Sequence, residues 1–140
     1  MSYKGIYRPS NPRKYKGDQS NIIYRSLWER KFMNYCDLNE NIIEWASEEF
    51  WIPYLDPTTN RVRRYFPDFF IKYKDKENNI RRSVIEVKPM RETLEPKITK
   101  GKSRKTLINE SMTYVKNQAK WKAANEFCAD RKLEFKIMTE

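Results

Sequence analysis

The sequence contains no histidine. That absence removes His-ligated metal nucleases, Ser-His-Asp and Cys-His hydrolases, and zinc sites of the usual Cys/His kind. Glycine is nearly as scarce: Gly5, Gly17 and Gly101 are the only three, so no glycine-rich dinucleotide or phosphate loop can be built. Gly101-Lys102-Ser103 has the spelling of a P-loop's end, but the position of that loop's first glycine is Pro96. Cysteine occurs twice, as Cys36 and Cys128, far apart and best read as reduced core residues. No apolar run approaches the ~20 residues of a membrane span. The opening residues MSYKGIYRPSNPRKYKG lack the apolar stretch of a secretory signal. An enzyme made from this inventory works with carboxylates, lysine and an oxygen-liganded metal.

Basic and aromatic residues are what the chain has in quantity. It carries 29 Lys and Arg against 19 Asp and Glu, a net charge of +10, and 14% aromatic residues, which argues for a packed core over a disordered polycation. Its 140 residues suit one domain. The charge is segregated. Residues 1–31 hold eight Lys/Arg against Asp18 and Glu29, and residues 88–105 hold seven against Glu92 and Glu95. Residues 32–60 hold none, with six acids. Two basic stretches around a neutral-to-acidic core point to a polyanion partner. The alternative for the charge alone is a solvated, solubilising surface.

Periodicity divides the chain. Residues 1–19, with Pro9, Pro12 and Gly17 and no apolar period, read as an extended basic arm whose Tyr3, Tyr7 and Tyr15 suit stacking on a nucleic acid. Residues 20–140 read as one domain. A helix is expected over 20–38, with Tyr24, Trp28, Phe32 and Tyr35 at steps of four and three. Three strands follow: 42–54, broken near Ser47, then 62–73 and 80–88, separated by turns at Asp56–Asn60 and Asp75–Asn79. A long basic loop over 89–105 precedes a helix over 107–130 with Ile108, Met112, Val115, Ala119, Ala123 and Phe127 on one stripe, and a last strand over 133–138. The order α-β-β-β-α-β gives an α/β class: two helices around a central mixed sheet.

The chemistry concentrates in Phe66-Pro67-Asp68 and Ile85-Glu86-Val87-Lys88. Pro67 lacks a ladder donor, which suits a kink presenting Asp68. On a strand, Glu86 and Lys88 share a face while Ile85 and Val87 take the other. A short hairpin places Asp68 and Glu86 on adjacent strands. Two hard carboxylates and a backbone carbonyl, that of Val87, suit Mg²⁺ or Mn²⁺. Lys88 beside that ion would orient the attacking water and offset phosphorane charge. The alternative reading of these residues is a turn Asp and a solvent-side Glu/Lys pair.

Phe66-Pro67-Asp68, Glu86-Val87-Lys88-Pro89 and the helix segment Tyr24-Arg25-Ser26-Leu27-Trp28-Glu29 together resemble the PD-(D/E)xK nuclease superfamily. Within it they are similar to TnsA-like transposon endonucleases and, more closely, to the small head-completion nucleases of large tailed phages. The resemblance spans residues 20–138. It implies a restriction-endonuclease-like core, with Asp68 and Glu86 as metal ligands, Lys88 as a catalytic group, and Glu29 as a helix acid that binds metal or orients a water. Ser26-x-x-Glu29 also spells a capping box, in which Glu29 would close a helix start.

Phosphate contacts are expected from Arg25, from Lys97, Lys100, Lys102, Arg104 and Lys105, and from Gln118 and Lys120 on the second helix. Trp121 is expected in the core. The function this implies is a Mg²⁺-dependent DNA endonuclease acting in phage head completion or DNA-end processing. Its partners would be phage head or portal proteins and no membrane or small-molecule cofactor, and its location the host cytoplasm and the virion. The alternatives are a non-catalytic virion protein that stabilises packaged DNA ends, and a transposase- or repair-type nicking endonuclease.

Overall fold

The computed structural model describes residues 4–139. Tyr3 lies outside them. Ten elements follow in order: β1 (Gly5–Ile6), β2 (Ile23–Tyr24), α1 (Leu27–Leu38), β3 (Ile42–Ser47), β4 (Ile52–Asp56), β5 (Arg61–Tyr65), β6 (Phe69–Lys74), β7 (Ile80–Lys88), α2 (Arg104–Asp130) and β8 (Glu134–Thr139).

The expected three-stranded meander is present, but two of its strands are cut in half. The 42–54 segment divides into β3 and β4 around Ser47, and the 62–73 segment divides into β5 and β6 at Phe66-Pro67-Asp68. The outer halves, β4 and β5, pair only with each other. The inner halves join a four-stranded sheet in the order β3-β6-β7-β8. The element order is therefore α-β-β-β-β-β-α-β after β1 and β2, not α-β-β-β-α-β. Both hairpin turns use Asp side chains as local acceptors: Asp56 takes the amide of Thr58, and Asp75 those of Glu77 and Asn79. Asn60 and Asn78 supply the left-handed backbone positions in place of glycine.

β3, β6 and β7 run antiparallel, and β8 lies parallel to β7. A parallel neighbour needs a crossover, and α2 is that crossover. One sheet face packs against α1 and the N-terminal segment through Trp45, Phe69, Ile85, Met33 and Tyr15. Ile52, Tyr54, Tyr65, Trp121 and Ala124 form a second apolar cluster between α2 and the β4–β5 ribbon. A fully buried Met or Phe of this kind contributes roughly 1.5–3 kcal/mol.

Three expectations are corrected here. Residues 4–19 are not an extended arm. β1 pairs with β2, Tyr7 and Tyr15 are buried, and Asp37 on α1 accepts from the Tyr7 hydroxyl and from the amides of Ser10 and Asn11. Helix α1 begins at Leu27 and buries Met33, Cys36 and Asp37; Tyr24 belongs to β2. Along α2 the buried line is Asn117, Trp121, Ala124 and Cys128, while Ile108, Met112 and Val115 remain exposed. The buried residues of α2 all lie in its second half. Cys36 and Cys128 are both free and buried, one in each helix. Among the described residues no helix is long and apolar enough to cross a membrane.

Candidate active site

Asp68 owes its position to the gap in its strand. Pro67 is fully buried and cannot donate to a ladder, so pairing stops after Tyr65 and resumes at Phe69, opposite Ile85. β7 continues past that point, and its Glu86, Val87 and Lys88 have no β6 partner. The amide of Val87 donates instead to Asp68 Oδ2 at 2.7 Å. The Asp68 carbonyl accepts from Glu48 N at 3.2 Å. One carboxylate oxygen thus replaces a missing ladder partner and locks Asp68 against the end of β7.

Glu86 sits on the α2 side of β7, 4% exposed. Its Oε2 accepts from Trp121 Nε1 at 3.3 Å. Its carboxyl is within hydrogen-bonding reach of Asp68. Burial first, then the neighbouring Asp68, pushes the Glu86 pKa up to about 8, against the opposing pull of Lys88 and Trp121. Lys88, two residues on and half-buried, makes no ion pair among the described residues.

Glu29 lies in the first turn of α1. Ser26 is the N-cap, its hydroxyl accepting from Glu29 N at 3.1 Å, and Glu29 Oε1 accepts from Arg25 N at 3.2 Å. The helix therefore starts at this box and not before it. Glu29 also faces the site: burial raises its pKa, and Asp68 and Glu48 raise it further. It closes its helix and borders the carboxylate pair at once.

Lys120 belongs with this group rather than with solvent. It is half-buried over the rings of Tyr54 and Tyr65, 5.8 Å from each, and its pKa is lowered by burial and by Lys88. Gln118 is exposed. Of the expected phosphate contacts, Arg25 is ion-paired with Glu48, and Lys102 is held by the Lys97 carbonyl at 2.9 Å and by Glu110 at 2.7 Å. Lys97, Lys100, Arg104 and Lys105 are exposed on the loop and the first turn of α2.

Two contributors escaped sequence reasoning. Trp121 is in the core as expected, but its indole N–H also orients Glu86. The Tyr65 hydroxyl is buried beside Glu86 with no hydrogen-bond partner of good geometry. Neither has a local signal, because each meets Glu86 from an element distant in sequence.

Among the described residues, no three Asp, Glu or Cys side chains form a ready-made ligand cluster. The two that do meet, Asp68 and Glu86, fit a divalent ion on chemical grounds. Both are hard oxygen donors, they repel each other at close range, and an unpartnered hydroxyl adjoins them. An ion held by two carboxylates keeps the waters that Mg²⁺ prefers.

Comparison with known proteins shows the family. Residues 39–140 match the family described as TnsA-like endonuclease N terminal. The chain is 38% identical to the head completion nuclease of Enterobacteria phage T4, over 100% of its own length and 93% of that protein's. The family match includes both Asp68 and the Glu86-Val87-Lys88 strand end, and the chain belongs to the TnsA-like endonuclease family.

Proposed function

We propose that the chain is a metal-dependent DNA endonuclease of the PD-(D/E)xK type. The observation that carries this reading is the pairing of Asp68 and Glu86: two carboxyls in contact, one of them buried, with only the Trp121 indole donating to Glu86 among the described residues. Such a pair is costly unless a proton or a cation lies between its members.

Asp68 and Glu86 would hold Mg²⁺ or Mn²⁺, with the Val87 carbonyl adjoining. When bound, the ion supplies Lewis-acid polarisation of the scissile phosphate and acidifies water. Trp121 holds Glu86 in place through its N–H. Val87 N holds Asp68, leaving its second oxygen for the ion. Lys88 orients the attacking water and stabilises the charge that develops on the phosphorane oxygens. Lys120, uncharged more readily than an ordinary lysine, adjoins Lys88 and adds positive potential when protonated. Glu29 borders the pair and orients a water.

DNA is the polyanion that a net charge of +10 would gather, and the exposed Lys97, Lys100, Arg104 and Lys105 would meet its phosphates. The setting proposed is completion of the phage head or processing of DNA ends during packaging. This rests on the kinship with the T4 protein. Head or portal proteins would be its partners, in the host cytoplasm and in the virion.

The test is nicking of supercoiled plasmid with Mg²⁺ and with Mn²⁺. Wild type should cut. Asp68→Ala and Lys88→Ala should bind DNA and not cut. A wild type that binds DNA but cuts under no divalent ion would hand the case to the non-catalytic DNA-end protein.

A further inference from the structure

A second concave site lies on the flank of α1, away from the carboxylate pair. It is a cleft of about 560 Å³ between the N-terminal segment and the helix. Arg8 lines it from the N-terminal wall, and Arg30 and Lys31 line it from α1. All three are exposed, none forms an ion pair among the described residues, and no carboxylate lines the cleft. A solubilising surface spreads its cations over convex ground. Here three converge across one opening.

The walls are fixed. Tyr7, at the base, donates its hydroxyl to Asp37 at 2.9 Å, and Ser10 N and Asn11 N donate to the same carboxylate at 2.7 and 2.9 Å. Gly5 pairs with Tyr24 across the short ladder, and a Cβ at Gly5 would collide with the Tyr24 ring. Glycine thereby lets that ring lie against the strand, where the Arg30 guanidinium sits 5.7 Å from its centroid. A cation site whose walls are pinned before binding loses little freedom on taking a ligand.

We propose that this cleft binds backbone phosphates of the DNA substrate on the flank of the bond that is cut. The inference rests on the nuclease reading above and adds a second contact region to it. Arginine forks and a lysine ammonium are the groups that take phosphate oxygens. DNA is favoured over an acidic peptide because the nuclease reading already supplies it as the polyanion, and Arg30 follows Glu29 directly on α1.

The experiment measures binding of fluorescent duplex and single-stranded oligonucleotides across a salt series. It uses the full chain carrying Asp68→Ala, so that nothing is cut. Adding Arg30→Ala with Lys31→Ala, or Arg8→Ala alone, should weaken binding equally for unrelated sequences. The slope of log affinity against log salt should fall by about one for each phosphate no longer neutralised. Lys74→Ala with Lys76→Ala, on the far hairpin, should leave the slope unchanged. Unchanged slopes in the cleft variants would overturn the proposal. So would a polyglutamate peptide that binds them more weakly while DNA does not. Plasmid cleavage by the wild type is read separately. Cutting with unchanged slopes sinks the cleft alone, and reduced slopes without cutting sink the nuclease reading and leave the cleft standing.

Discussion

Asp37 and Glu86 are both buried carboxylates, at 0% and 4% exposure, and the protein surrounds them in opposite ways. Asp37 accepts from the Tyr7 hydroxyl and from two backbone amides. Its own backbone carbonyl accepts from Lys14 Nζ at 3.0 Å. Donors fill its lone pairs, and the carboxylate ties residues 7–14 to α1. Glu86 receives one long hydrogen bond from Trp121 and faces the like charge of Asp68. An acid saturated with donors is an anchor. An acid left short of them beside a second acid is prepared to take a cation or a proton. The contrast separates a structural role from a chemical one without appeal to any motif.

The largest effect that bears on this contrast is on cleavage. Asp68→Ala removes a proposed metal ligand and should lower the rate of plasmid nicking about 10³-fold or more, the equivalent of several kcal/mol, with DNA binding retained. Next comes stability. Asp37→Ala strands three donors, each in a bond to a charged group, and should cost about 3 kcal/mol or more. That would lower the thermal midpoint by roughly 10 °C, read by circular dichroism. Glu86→Gln should leave the midpoint of the metal-free protein unchanged or higher, because it removes the cost of burying an ionisable carboxyl beside Asp68, while abolishing nicking. Similar midpoint losses in the two variants would erase the distinction between them.

Trp121→Phe keeps the ring and deletes the donor, and should lower nicking by about 10–100-fold, as losses around a metal's ligands do. The smallest effect is on pH. Glu86 holds its proton in the folded, metal-free protein up to about pH 8, whereas the unfolded chain releases it near an ordinary carboxylate pKa. The folded state then binds more protons than the unfolded one, so this group's contribution falls as pH rises through that window. Mg²⁺ must displace the same proton, so calorimetric affinity should rise over the same range. Glu86→Gln should flatten the dependence of stability on pH.

Much of this could be read from local chemistry. The residues of β7, Ile80–Lys88, coincide with the expected strand because a β-branched run is bounded by an Asp-Asn turn and by Pro89. Pro67 marked the break that frees Asp68. What failed depended on distant partners. Tyr24 fell in step with the helical period by coincidence. The stripe from Ile108 to Phe127 was amphipathic, but Ile108, Met112 and Val115 in its first half stay exposed. Tyr7 and Tyr15 have no periodic neighbours, and what buries them is Asp37 on α1 and Trp45 on β3. In the candidate site, residue types and spacing singled out Asp68, Glu86 and Lys88, and the fold brings Asp68 and Glu86 together. The donor that orients Glu86 lies 35 residues away on the crossover and could be seen only once the chain was folded.

That crossover also sets an order of events. During synthesis, the hairpin bearing both acids and Lys88 leaves the ribosome well before α2 and β8. Until the C-terminal segment docks, Glu86 lacks both the Trp121 indole and the strand beside it. A growing chain can therefore fold its meander and gather the reactive side chains while the centre is still open to water. The crossover and β8, made after the hairpin, are what close it.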